Sequence, residues 1–167
     1  MSILRRYYSE GSIYFVTTVT YQRLPILNKH AEIFRQSIDF TQKIIPFSTF
    51  AWVIMPDHVH MIIDPHDNDL SDIMKRIKMK FAGGYKAQHG IRRGRIWQHR
   101  FWDHVIRGQD DLNRCIDYVH YNPVKHGVVN NLPDFPYSSF HEYLDAGYYQ
   151  NDWGSKQPVA LDRDFGE

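Results

Sequence analysis

One cysteine, Cys115, is all that the 167 residues contain. An internal disulfide framework is therefore excluded, and no metal site can be built from thiolates alone. Long apolar runs are missing too. Met1 to Glu10 carries Arg5 and Arg6 with no hydrophobic stretch behind them that would suit a signal peptide or a membrane span. A cytoplasmic protein without a membrane partner is expected. Repeats and low-complexity tracts are also absent, which leaves a globular chain long enough for one core and too short for two independent domains.

The most telling absence is local. Between Met74 and Arg100 there is no Asp or Glu, while Lys75, Arg76, Lys78, Lys80, Lys86, Arg92, Arg93, Arg95 and Arg100 all fall there. From Asp134 onward the balance reverses, so the net charge of +1 averages two opposite segments. A basic stretch of this kind is a polyanion footprint or, more blandly, a solvated face. Within it, Lys78, Arg92, Arg93 and Arg95 are candidate phosphate contacts. Trp97, Phe101 and Trp102 interleave with them, either to stack unpaired bases or to be buried.

Periodicity supplies the elements. Ser12 to Tyr21, Phe47 to Met55, His58 to Asp64 and Phe101 to Arg107 read as strands, rich in β-branched and aromatic residues. Pro56-Asp57 makes the tight turn of a hairpin. A helix follows Asn28 until Pro46, and Leu70, Ile73, Met74, Ile77 and Phe81 mark the apolar face of a second. Gly83-Gly84 is expected to interrupt that second helix. Asp110 or Asp111 should cap a third, carrying Leu112, Cys115, Ile116 and Val119, that ends near Asn122 because Pro123 disfavours helical geometry before it. A short helix is expected over Ser138 to Ala146. The order predicts an α+β fold, a ferredoxin-like antiparallel β-sheet with helices packed on one face. Residues 1–150 are expected to form the single domain and 151–167 a C-terminal tail.

Alternation puts His58 and His60 on one face of their strand, with Val59 and Met61 on the other. Two imidazoles there form half of a divalent-metal site, although such a pair taken alone is more often structural. On the third helix, Tyr118 and Asn122 sit one turn apart on the flank of the core stripe. Among eleven tyrosines, a boundary tyrosine that packs its ring and exposes its hydroxyl is the plain alternative.

Four segments together resemble the REP-associated tyrosine transposases, relatives of the single-tyrosine HUH (IS200-like) transposases of small insertion sequences. They are Trp52 to Ile63 (WVIMPDHVHMII), Ile96 to Arg107 (IWQHRFWDHVIR), Asp117 to Val129 (DYVHYNPVKHGVV) and Tyr137 to Tyr143 (YSSFHEY). The resemblance implies a bacterial nuclease that nicks single-stranded DNA at a hairpin, links to it through a 5′-phosphotyrosine and can rejoin strands. By motif position it implies Tyr118 as nucleophile and His58, His60 and Asn122 as ligands of Mg²⁺ or Mn²⁺. Insertion-sequence relatives commonly carry glutamine where this chain has the shorter Asn122. Arg5 and Arg6 are implied to help read a guide sequence at the hairpin foot, and both monomeric and homodimeric action occur in the family. A hairpin-binding regulator of the same fold without catalysis is the alternative.

Overall fold

The computed structural model describes residues 13–156 and 165–167. Four strands, β1 (Tyr14–Val19), β2 (Ser48–Ile54), β3 (His58–Asp64) and β4 (Trp102–Val105), form one antiparallel sheet in the order β2-β3-β1-β4. Between β1 and β2 runs α1 (Ala31–Ile44), and between β3 and β4 runs α2 (Leu70–His89). This is the ferredoxin-like order expected from the sequence. The register sets Thr17 opposite His60 and Val19 opposite His58.

Strand alternation divides the core in two. Val16, Ile54, Val59, Met61 and Ile63 point to one face and pack with Phe34 of α1 and with Ile73, Met74, Ile77 and Phe81 of α2. Phe15, Ala51, Val53 and Ile62 point to the other. That second face is covered by α3 (Gln109–Lys125), through Leu112, Cys115, Ile116 and Val119, and by α4 (Phe140–Asp145), through Phe140 and Tyr143. The expectation of helices on one face holds for α1 and α2 alone. Both faces of every interior strand are apolar except where His58, His60, Thr17 and Thr18 interrupt, and a sheet so patterned must be covered twice.

Two helices run further than predicted. Gly83 and Gly84 lie inside α2, which continues to His89 and stops at Gly90 in the left-handed conformation (φ 64°). A Cβ on Gly84 would come within 2.9 Å of Ile33 Cγ2, so the glycine is the point where α2 passes close over α1. Likewise α3 continues through Pro123 to Lys125. Proline cannot donate to the carbonyl of Val119, but the next turn re-forms, with His126 N–H donating to the Asn122 carbonyl at 3.0 Å. Gly108 stands at the start of α3, and Asp111 acts from within the first turn, its carboxylate accepting from Arg107 N–H at 2.9 Å and pairing with His104 at 2.9 Å. Residues 165–167, expected in a tail, return to the core, where Phe165 is buried against Phe15 and Tyr118.

Candidate active site

The first residue of β3 is His58, held by the Pro56-Asp57 turn that precedes it. Asp57 Oδ1 accepts from His58 Nδ1 at 2.7 Å, and this bond is the main cause that holds the Asp57 carboxyl below its ordinary range. With its Nδ1 proton spent there, the imidazole turns Nε2 inward, 3.2 Å from Asn122 Oδ1. Two residues on, His60 Nδ1 donates to Thr17 Oγ1 at 2.8 Å, since the threonine proton goes to the Phe165 carbonyl at 2.6 Å. His60 Nε2 therefore also points inward, 3.0 Å from Glu167 Oε1. Burial pushes the His60 imidazole down to about 4, so at neutral pH it is uncharged and presents a lone pair.

Asn122 completes the orientation: its Nδ2 donates to Glu167 Oε1 at 2.8 Å, which fixes Oδ1 toward His58. Two imidazole lone pairs, an amide oxygen and a carboxylate oxygen thus converge, acceptor facing acceptor. That donor set fits a divalent cation, and ligand atoms of His58, His60 and Glu167 all lie within 4.8 Å of one another. Asp57 and Thr17 hold the two imidazoles in the tautomer such an ion needs.

Tyr118 lies beside this group on α3. Its ring stands 5.5 Å from that of His60 and its hydroxyl donates to Glu167 Oε1. Lys125 Nζ donates to the same phenol oxygen at 2.7 Å and to Glu167 Oε2 at 3.1 Å, and His126 Nε2 lies 2.8 Å from Oε2. The Glu167 carboxylate is thereby the hub of the site. Burial alone would push its pKa up, but the contacts with His126, His60 and Tyr118 hold it well below the usual carboxylate range. Phe165 seals the hub, its ring 4.2 Å from that of Tyr118, and Tyr118 is 1% exposed. A second anion and the Glu167 carboxylate cannot both occupy this place.

The structure brings His58, His60, Tyr118 and Asn122 together as the sequence expected, and the shorter amide of Asn122 reaches His58. It also adds Thr17, Asp57, Lys125, His126 and Glu167. Lys125 is seven residues after Tyr118 and His126 four after Asn122, so the helical stripe carries both. Ending the helix at Asn122 hid them. Glu167 had no sequence signal, because nothing in 165–167 marks a return to the sheet.

The basic residues lie elsewhere. Lys75, Lys78 and Lys86 of α2 and Arg95 of the following loop line a groove of about 540 Å³ on the face opposite α3. Lys78 Nζ donates to the Gln98 carbonyl at 3.0 Å, and burial lowers its pKa. Arg92, Arg93 and Arg95 are exposed. Trp97 is buried with Phe34 and Phe81, its indole N–H donating to the Lys78 carbonyl, so it serves the core and offers no stacking face. Arg5 and Arg6 lie outside the described residues. Among those described, no helix is long and apolar enough to cross a membrane.

Comparison with known proteins gives the family. Residues 8–122 match the family model of IS200-like transposases. An Escherichia coli REP-associated tyrosine transposase is 36% identical over 92% of this chain and 91% of its own. A Haemophilus influenzae protein, provisionally described in the same terms, is 35% identical over 99% of this chain and all of its own. A solved REP-associated tyrosine transposase, bound to a REP hairpin, superposes with a TM-score of 0.76 at 35% identity, covering 98% of this chain and 99% of that one. The chain belongs to the IS200-like transposases and, within them, to the REP-associated tyrosine transposases.

Proposed function

We propose that this protein is a metal-dependent single-strand DNA endonuclease and strand transferase that acts at hairpin DNA of REP type. The observation that carries the reading is the convergence of the Tyr118 hydroxyl, the His58 and His60 Nε2 atoms and the Asn122 amide on one small volume. In the step proposed, the Tyr118 oxygen attacks the scissile phosphorus in line. The bond from phosphorus to the 3′-oxygen breaks, that oxygen leaves with the phenol's proton, and the 5′-phosphate remains on tyrosine. Attack by a 3′-hydroxyl reverses the sequence and joins strands.

A phenol with an ordinary pKa near 10 needs alignment and nearby positive charge to react at neutral pH. Tyr118 has both, being held between Phe15 and Phe165 and touched by the Lys125 ammonium. His58, His60 and Asn122 would hold the metal, and the imidazole-rich set favours Mn²⁺ while accepting Mg²⁺. Bound there, the ion would supply Lewis-acid polarisation of the phosphate. Arg92, Arg93, Arg95 and Lys78 contact the DNA backbone in this reading, and Arg5 and Arg6 help read the guide at the hairpin foot. The hairpin partner is carried over from the solved relative, and one domain over residues 1–150 is taken to suffice.

The test is covalent capture. A 3′-labelled hairpin oligonucleotide with single-stranded flanks, incubated with Mn²⁺, should give a labelled protein band on a denaturing gel with wild type and none with Tyr118→Phe. Cleavage without the band, or a band that survives the substitution, overturns the tyrosine chemistry. Binding without cleavage would establish the regulator in its place.

A further inference from the structure

The four donors around Glu167 describe an anion site. Oε1 takes Tyr118 OH and the Asn122 amide and faces His60, while Oε2 takes Lys125 and His126. A carboxylate and a phosphodiester share one negative charge spread over two oxygens, so donors that fit one fit the other. We infer that the Glu167 carboxylate marks the position of the scissile phosphate, and that Lys125 and His126 are the groups that hold that phosphate when DNA replaces Glu167.

Geometry separates their roles. Lys125 Nζ lies 2.7 Å from the Tyr118 oxygen and 3.1 Å from Glu167 Oε2, so a single ammonium spans the attacking atom and the anion. It also sits 4.6 Å from the centre of the Tyr118 ring, a cation–π contact that keeps it there when the anion changes. As the oxygen–phosphorus bond forms, charge flows from the phenol oxygen onto the non-bridging oxygens, and Lys125 contacts both ends of that flow. It stays protonated throughout; the phenol's proton departs with the 3′-oxygen. Lys125 is in this sense a catalytic residue. His126 touches only the Oε2 side and its ring stands 5.3 Å from that of His58, so it grips the second non-bridging oxygen without reaching the nucleophile. Both side chains are about one-third exposed, as a ligand site on the rim requires.

This inference rests on the tyrosine-nuclease reading, and the test keeps the two apart. Adduct formation is measured on two hairpin oligonucleotides that differ only at the scissile linkage, one a phosphodiester and the other an uncharged methylphosphonate. On the diester, Lys125→Met is expected to slow the adduct about 100-fold, the loss typical of a donor to a developing oxyanion, and His126→Gln about tenfold. On the methylphosphonate each loss should shrink to about threefold or less, since the charge being held is gone. Lys125→Arg, which keeps the charge, should recover most of the diester rate. As a second readout without metal, fluorescence anisotropy with Tyr118→Phe should show that adding Lys125→Met weakens binding of the diester more than of the methylphosphonate. Equal losses on both oligonucleotides, or a full diester rate in Lys125→Met, overturn the phosphate clamp while leaving the nuclease standing. Failure of wild type to form any adduct overturns the nuclease reading and the clamp with it.

Discussion

Asn122 Oδ1 lies 3.2 Å from His58 Nε2, an acceptor facing an acceptor when the imidazole proton sits on Nδ1 and is donated to Asp57. Such a contact repels unless a proton or a cation lies between. If a divalent ion resolves it, binding must stabilise the fold. At a hundred times its dissociation constant a ligand adds about 2.7 kcal/mol. In a chain of this size that raises the melting temperature by about 5–10 °C. Mn²⁺ should therefore shift the melting curve upward, EDTA should reverse the shift, and Asn122→Ala or His58→Ala should abolish most of it. An unchanged shift in Asn122→Ala would place the ion elsewhere.

In the proposed reaction the scissile phosphate would take the place Glu167 occupies, so the segment and the substrate would compete. Replacing the carboxylate by alanine removes the bonds from Tyr118, Asn122, Lys125 and His126 and the close approach to His60 together. Glu167→Ala should speed formation of the covalent adduct about tenfold or more, a loss of about 1.4 kcal/mol or more in the competing closed state. A rate equal to wild type would mean that the segment leaves the site at no measurable cost.

How legible was this site beforehand? The strand periodicity of HVHMIID put both imidazoles on one face, and helical spacing put Tyr118 and Asn122 together, because local geometry alone decides those placements. The ferredoxin order of strands followed from the alternation of elements. Lys125 and His126 were hidden by a rule that proline stops a helix, which fails here because α3 re-forms its hydrogen bonds after Pro123. Trp97 stands among basic residues in the chain, yet its place is set by Phe34 and Phe81, which are distant in sequence. Glu167 joins β3 and α3 through contacts more than forty residues away, and no local pattern encodes such a return.

The paired glycines of α2 separate propensity from packing. Nothing lies within 4 Å of a Cβ built on Gly83, whereas one on Gly84 would strike Ile33. Gly83→Ala should stabilise the protein by about 0.5–1 kcal/mol through helix propensity. Gly84→Ala should yield none of that gain, because α1 must move aside. Urea unfolding measures both, and equal gains would show that the close helix approach is unimportant.

The exposed arginines after α2 make a separable prediction about DNA. Removing one arginine that neutralises a phosphate should reduce the slope of log affinity against log salt by about 0.7–0.9. Arg92→Ala, Arg93→Ala and Arg95→Ala should each weaken hairpin binding and flatten that slope, to similar extents for matched and scrambled sequences. An arginine whose removal changes affinity without changing the slope is not bound to phosphate.

Beside Tyr118 in sequence, Asp117 tests the electrostatics of the other side of α3. Burial pushes its carboxyl up to about 6, against the opposing effect of the Tyr149 hydroxyl, which donates to it at 3.0 Å. Its folded pKa is therefore above the unfolded value of 3.8. Between those values the folded chain holds more protons than the unfolded one, so this group's contribution to stability is present at low pH and lost as pH rises through about 6. His120, pushed by burial down to about 3, acts with the opposite sign, its contribution falling away as pH drops below 6.5. Because the two oppose each other, the pH profile of wild type alone cannot isolate Asp117, but a substitution can. Asp117→Asn keeps the acceptor for Tyr149 and removes the charge. Its melting temperature relative to wild type should rise between pH 4 and pH 7.5, and a constant or falling difference would show that the Asp117 carboxylate is not ionised at a cost in the folded chain.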